Sequence, residues 1–298
     1  MRSARVCYLM SGQPHLPYLT VSLWTLRQHY NGPVTVAAWP ESIDLLRQIA
    51  QDKRLDIAVQ VRRPAIRGKN DQFMDKIAMA MDQDGPMIYL DADTSIHAPI
   101  QPIFDRLEKF DFVSTQFCDW ETSSPMIANR IQGLAEFEGI PSQLVEDFLL
   151  RSWPSVNGGV WGALPDSPIL PHWLAYTEAA KRTFIADEKV LHLMLGVYAP
   201  SGKMTVMTDR GRWNCSPKYQ PADLADEDVA IYHYHGDCNV RPKKCVRGLS
   251  IWWPMYQECI ENNVGGIQDW HTTVNNKWIR VIEKEIVEQE HQQCNGEG

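Results

Sequence analysis

The chain has 298 residues, 44% of them hydrophobic, and a formal net charge of −8 from 29 basic and 37 acidic side chains. That length and apolar share allow a sizeable core, as two modest domains or one large α/β domain with an appendage, and exclude a disordered chain. Charge forms no long block, which argues against an extended basic face for nucleic acid. The first apolar run, residues 6–10, is too short for a secretory signal. No stretch approaches the roughly 18 apolar residues of a spanning helix, so a soluble, cytoplasmic chain is expected.

Residues 6–10 read as a buried strand that runs into Ser11-Gly12-Gln13-Pro14-His15, a loop of turn residues. A helix follows. Pro17 suits its first turn, Leu19, Leu23, Trp24 and Leu26 recur at helical spacing, and Asn31-Gly32-Pro33 stops it. Residues 34–39 read as a strand, 42–52 as a helix and 57–61 as a third strand. An amphipathic helix is expected over 73–81, ending near Asp84-Gly85-Pro86, and the apolar run 87–90 reads as a fully buried strand. Farther on, strands are expected at 111–117 and 156–163, helices at 170–181 and 186–196, and late strands at 204–208 and 229–234. Alternation of this kind specifies a largely parallel sheet covered by helices, in which ligands bind beyond the carboxyl ends of the strands. The turns after Met10 and Leu90 therefore face one crevice. The character changes near the end, with Trp252, Trp253, Trp270 and Trp278 and a charged helix at 276–289. This divides the chain into a main domain at 1–245 and a C-terminal helical extension at 246–298.

Seven cysteines form an odd, scattered set in a chain large enough to be held by its core, so reduced thiols are expected. His233, His235, Cys238 and Cys245 could in principle make a four-ligand zinc site, but their spacing matches no C-x-x-C pairing.

Asp91 and Asp93 stand one residue apart where the chain leaves the strand at 87–90, so both carboxylates can turn toward one ligand. Two carboxylates in that position suit a hard divalent cation. Such a cation keeps positions open for phosphate oxygens and neutralises charge on a departing diphosphate. A solvated Asp-x-Asp turn is the ordinary alternative. The surroundings add to the pair. Lys76 precedes Tyr89-Leu90-Asp91-Ala92-Asp93-Thr94, and Asn157-Gly158-Gly159-Val160-Trp161, Asp187-Glu188, Trp213-Asn214 and His233-Tyr234-His235-Gly236 follow in order. Together these segments resemble the GT-A glycosyltransferases, in particular the retaining family eight enzymes related to glycogenin and bacterial galactosyltransferases. The resemblance covers roughly residues 5–243.

It implies a GT-A fold over 1–245, a Rossmann-like α/β arrangement with a mixed, mostly parallel sheet flanked by helices. It also implies a nucleotide-sugar donor, most commonly a UDP-sugar, transfer with retention, and manganese or magnesium held by Asp91, Asp93 and His233, with His235 as the competing ligand. Donor recognition falls, by the same resemblance, to Met10, Ser11, Gly12 and Tyr18 at the first turn, to Lys76, and to Asp91, Ala92 and Asp93. Asn157, Gly158, Gly159, Asp187 and Gly236 join them, with Arg241 or Lys243 where relatives carry a lysine-proline pair on the diphosphate. Paired glycines let backbone approach a sugar, and Asn157 both donates and accepts. Asp187 and Glu188 are the catalytic candidates. The first would bind sugar hydroxyls. The second, where relatives carry glutamine, would stabilise an oxocarbenium-like transition state electrostatically or act as a nucleophile, and electrostatic stabilisation is preferred. Each has an ordinary explanation too: a snorkelling Lys76, a bulged strand entry at Asn157, acidic helix caps at Asp187 and Glu188.

Two other functions stay open. A nucleotidyltransferase also uses a metal aspartate in such a sheet, though Ser11-Gly12-Gln13-Pro14 lacks the expected basic phosphate loop. A non-catalytic sugar- or nucleotide-binding protein is suggested by eleven tryptophans that could stack on rings. The acceptor, whether glycan, protein side chain, lipid-linked glycan or modified nucleic-acid base, is not fixed by the sequence, nor is the oligomeric state.

Overall fold

A computed structural model describes residues 4–12, 15–62, 71–235 and 246–273. The first strand, β1 (Arg5–Met10), buries five of its six residues. Every residue of β2 (Val34–Ala38) and β4 (Met87–Leu90) is buried too. Strands of this kind lie inside a sheet covered on both faces, which is why they read as continuous apolar runs rather than as alternation. β3 (Ile57–Val61) is half-exposed at the sheet's edge.

The main sheet has seven strands in the order β3-β2-β1-β4-β7-β6-β8, with β6 at Phe112–Glu121, β7 at Pro154–Ala163 and β8 at Met204–Met207. All neighbours are parallel except β7, which runs against both β4 and β6. This reversal carries the beginning of β7 to the carboxyl ends of β4 and β6. Leu90 pairs with Val160, and the Asp91 amide donates to the Gly159 carbonyl at 2.7 Å. A second, two-stranded sheet joins β5 (Thr94–Ile96) antiparallel to β9 (Ile231–His233), with Thr94 opposite His233.

Alternate residues of β1 feed two cores. Val6, Tyr8 and Met10 face α1 (Leu16–Arg27), α2 (Ile43–Ile49) and the C-terminal helices α9 (Val246–Glu261) and α10 (Ile267–Thr273). Cys7 and Leu9 face α3 (Asp71–Met81), α7 (Ile169–Ala179) and α8 (Ala186–Tyr198). The C-terminal helices share the first core. Trp252, 1% exposed, stacks on Tyr256 at 4.7 Å and meets Tyr18 at 4.8 Å. Cys7, Cys118, Cys215 and Cys259 are buried free thiols. No helix among the described residues is long and apolar enough to cross a membrane.

Several boundaries differ from the sequence reading. Residues 40–42 form a separate 3-10 turn ahead of α2, β6 runs four residues past the expected end, and only 231–233 of the expected 229–234 strand are paired. The sequence reading also passed over β5 and three helices, α4 (Gln101–Leu107), α5 (Pro125–Gln132) and α6 (Ser142–Leu149). Each of the last two buries only one pair of apolar side chains, Ile127 with Ile131 and Val145 with Phe148. Eight residues with two apolar anchors give too little periodicity to stand out. The charged helix expected at 276–289 lies outside the described residues.

Candidate functional site

Asp91 directly follows β4, Asp93 is the last residue of the turn before β5, and β9 returns alongside β5 to bring in a histidine. The Tyr234 amide donates to the Asp93 carbonyl at 2.8 Å, which holds the end of β9 beside the acidic turn. Nε2 of His233 lies 3.6 Å from Asp91 Oδ2 and 3.4 Å from Asp93 Oδ1. One ligand atom from each of the three lies within 4.8 Å of the others. Nδ1 of His233 is occupied by Asn214, whose Oδ1 sits 2.9 Å away. An amide oxygen can only accept, so Nδ1 carries a proton and Nε2 is the nitrogen turned toward the carboxylates. Asn214 is itself held through Thr115 Oγ1 at 3.1 Å, and Thr115 donates to the Val160 carbonyl at 2.7 Å.

The electrostatics of this triad suit a cation. Burial pushes the Asp91 carboxyl up, against the pull of Lys76, and Asp93 adds to the rise. Burial opposes charge on His233, but the Asp93 and Asp91 carboxylates outweigh it and hold the ring above its ordinary pKa. A divalent ion would take the place of a proton on Nε2 and answer both carboxylates. The donor set of two carboxylate oxygens and one imidazole nitrogen, with its tautomer fixed, fits such an ion.

The adjacent glycines Gly158 and Gly159 of β7 explain how the groups come so close. Successive strand residues point to opposite faces. A Cβ on Gly159 would lie 2.8 Å from Asp91 Oδ2 and 2.8 Å from His233 Nδ1. One on Gly158 would lie 2.6 Å from Asp187 Oδ2 and 2.8 Å from Lys76 Nζ. Each glycine thus vacates the space that a functional pair occupies. Lys76 does not snorkel. It is 5% exposed, donates to the Gly158 carbonyl at 2.8 Å and pairs with Asp187 at 2.5 Å. Its charge is therefore matched within the protein, and the Asp187 side chain is turned onto Lys76.

Glu188, the next residue of α8, faces Asn157. The Asn157 amide nitrogen donates to Oε2 at 2.7 Å while its oxygen accepts from the Gly159 amide at 2.7 Å, which fixes the amide's orientation. Arg130 on α5 stands 4.0 Å from the other carboxylate oxygen. Burial, followed by the neighbouring Asp187, pushes the Glu188 carboxyl up to about 7. Behind it, His192 links the Glu188 carbonyl (2.8 Å) to the Val156 amide (3.2 Å), and burial drives its pKa down to about 4, so the ring is a neutral brace. His192 and Arg130 carry no motif, and sequence reasoning had no signal for them beyond helical position.

Two adjoining clefts meet at this cluster. The smaller, about 190 Å³, runs from Ser11 and His15 past Tyr89 to Asp91, Ala92 and Asp93. The larger, about 410 Å³, is floored by Asn157, Gly158, Gly159, Asp187, Glu188 and His233. Phe73, Lys76, Asp91 and Asp93 line both. Two residues expected at the first turn lie elsewhere. Met10 is fully buried, and Tyr18 is 4% exposed beneath Trp252, since α1 turns its ring into the core; neither lines a cleft. Gly12 caps the turn by accepting from the His15 amide at 3.2 Å. His235 is not one of the three clustered ligands: its ring packs edge-on against His233 at 5.1 Å and against Phe117 at 4.8 Å, and its Nε2 has no hydrogen-bond partner among the described residues. Gly236, Arg241, Lys243, Cys238 and Cys245 lie outside the described residues, and with them the zinc grouping.

No family model matches this sequence, and no curated protein matches it. Among solved structures, mouse xyloside xylosyltransferase 1 in its apo form is similar, with a TM-score of 0.53 and 15% sequence identity over 80% of this chain and 99% of that chain. The likeness is one of fold: the chain has the GT-A, Rossmann-like arrangement of a mostly parallel sheet between helices.

Proposed function

We propose that this protein is a metal-dependent glycosyltransferase that moves a sugar from a nucleotide-diphosphate sugar, a UDP-sugar by preference, to an acceptor hydroxyl with retention. The observation that carries the reading is the triad of Asp91, Asp93 and His233 at the junction of two clefts beyond the carboxyl end of β4. The GT-A fold supports it, as does the ordered set of sequence segments that resembles retaining transferases. In this reading the smaller cleft takes the nucleoside, and the transferred sugar lies in the larger.

Manganese suits the site better than magnesium, because one ligand is imidazole. When bound, the ion supplies positive charge to the diphosphate as it leaves. The protein's own groups do the rest. Lys76 holds Asp187 in place through their buried ion pair, and Asp187 presents acceptors for sugar hydroxyls. Asn157 aims the Glu188 carboxylate into the larger cleft, where negative charge favours an oxocarbenium-like transition state. The Gly158-Gly159 backbone admits the ring closely.

A panel of UDP-, GDP- and ADP-sugars incubated with manganese tests this, since slow donor hydrolysis needs no acceptor. Hydrolysis of one donor, abolished by Asp91→Asn, is expected. A panel with no hydrolysis and no binding by calorimetry would refute the reading.

A further inference from the structure

The larger cleft extends past Glu188 to a wall that the metal and diphosphate do not need. Trp120, near the end of β6, and Tyr219 face each other there with ring centroids 4.8 Å apart and planes at 57°. Phe117 braces both edge-on, 5.6 Å from Trp120 and 6.3 Å from Tyr219, and is itself 6% exposed. Trp120 and Tyr219 are half-exposed, and both line the cleft. At the mouth, Phe184 is 76% exposed and Met126 43%. Exposed apolar side chains that line a cleft mark a place where a ligand covers them.

Polar groups frame these rings. Arg130 and Glu188 lie on one side, and Lys218 sits over the Tyr219 ring at 5.0 Å. An aromatic platform edged by donors and acceptors matches a pyranose ring, which has an apolar C–H face and a rim of hydroxyls. A lipid tail would leave the charged rim unanswered. Duplex nucleic acid needs a basic apron, whereas a concave cleft of about 410 Å³ suits a small ligand.

We propose that this outer wall is the acceptor subsite and that it takes a saccharide ring stacked on Trp120 and Tyr219, an inference that rests on the glycosyltransferase reading above. The acceptor ring then lies across Glu188 from the donor sugar, with a hydroxyl directed at the shared floor of the cleft. Formation of the new glycosidic bond transfers the sugar to that hydroxyl oxygen, breaks the bond to the diphosphate and releases the hydroxyl proton to the leaving phosphate.

The test offers methyl glycosides of glucose, galactose, mannose and xylose, a peptide containing serine and tyrosine, and a single-stranded oligonucleotide. Each is supplied with manganese and the donor that the wild-type protein hydrolyses. Transfer to at least one glycoside is expected. Trp120→Ala should raise the KM for that glycoside roughly tenfold, the scale of a lost aromatic stacking contact, while the donor KM moves less than about twofold. Phe184→Ala, at a side chain too exposed to threaten folding, should shift the glycoside KM in the same direction. Transfer only to peptide or oligonucleotide would overturn the assignment, as would equal movement of both KM values. Donor hydrolysis with no transfer to any glycoside sinks the acceptor assignment and leaves the glycosyltransferase reading standing; no hydrolysis of any donor removes both.

Discussion

Gly159 lacks a side chain because Asp91 and His233 occupy the space a Cβ would need. Gly159→Ala should therefore push two of the proposed metal ligands apart and weaken manganese binding at least about tenfold by calorimetry, on the scale of disturbed ligand geometry. Gly133→Ala is the control, since a Cβ there meets nothing within 4 Å. Equal affinities in the two variants would show that the crowding at Gly159 does not matter. Glu188 sets a second test at this scale. Its carboxyl titrates at about 7 instead of its ordinary 4.5, so the fold favours the neutral form. Its contribution to stability is complete below about pH 4.5 and is lost as pH rises through about 7. Under the proposed function activity runs the other way, because the charged form is the one that would stabilise the transition state. The rate should rise through pH 7, and Glu188→Gln should flatten both that rise and the stability loss. A pH-rate profile unchanged by the substitution would remove the carboxylate from the chemistry.

At the scale of elements, α9 closes one face of the sheet by laying Trp252 between Tyr18 and Tyr256. Trp252→Ala empties a fully packed position and should cost about 3–5 kcal/mol by denaturant unfolding. A loss under about 1 kcal/mol would mean the helix docks only loosely. Legibility divides along the same lines. Strands β1, β2 and β4 stood out because each is a dense apolar run bounded by turn residues, and α1 and α8 because their length gives periodicity room to show. Helices α5 and α6 did not, each having only two buried anchors, yet α5 delivers Arg130 and Met126 to the cleft.

For the whole molecule, an ion that binds the folded triad but not the unfolded chain must raise stability by mass action, about 2.7 kcal/mol at a hundredfold excess over Kd. For a chain this size that is a rise of several degrees in Tm. Manganese should give this shift, a chelator should reverse it, and the Asp91→Asn, Asp93→Asn double variant should abolish it. Calorimetric scanning with and without the ion decides the point; a shift that survives the double variant would place the metal elsewhere.

The sequence by itself determined the strand-helix alternation and the place of Asp91-Ala92-Asp93 at the end of a buried strand. Both depend on near neighbours, an apolar run and the break that follows it. Motif order added Asn157-Gly158-Gly159, Asp187-Glu188 and His233 as a likeness. Only the tertiary structure decided how these act together. The pairing of β5 with β9 sets Thr94 opposite His233, 140 positions after Asp93, and makes that ring, not His235, the one grouped with the two carboxylates. The reversal of β7 puts Gly158 against Lys76 and Asp187 and Gly159 against the triad. Such pairings depend on register between distant segments, and register is fixed by the packing of the whole sheet, which no local stretch of sequence contains.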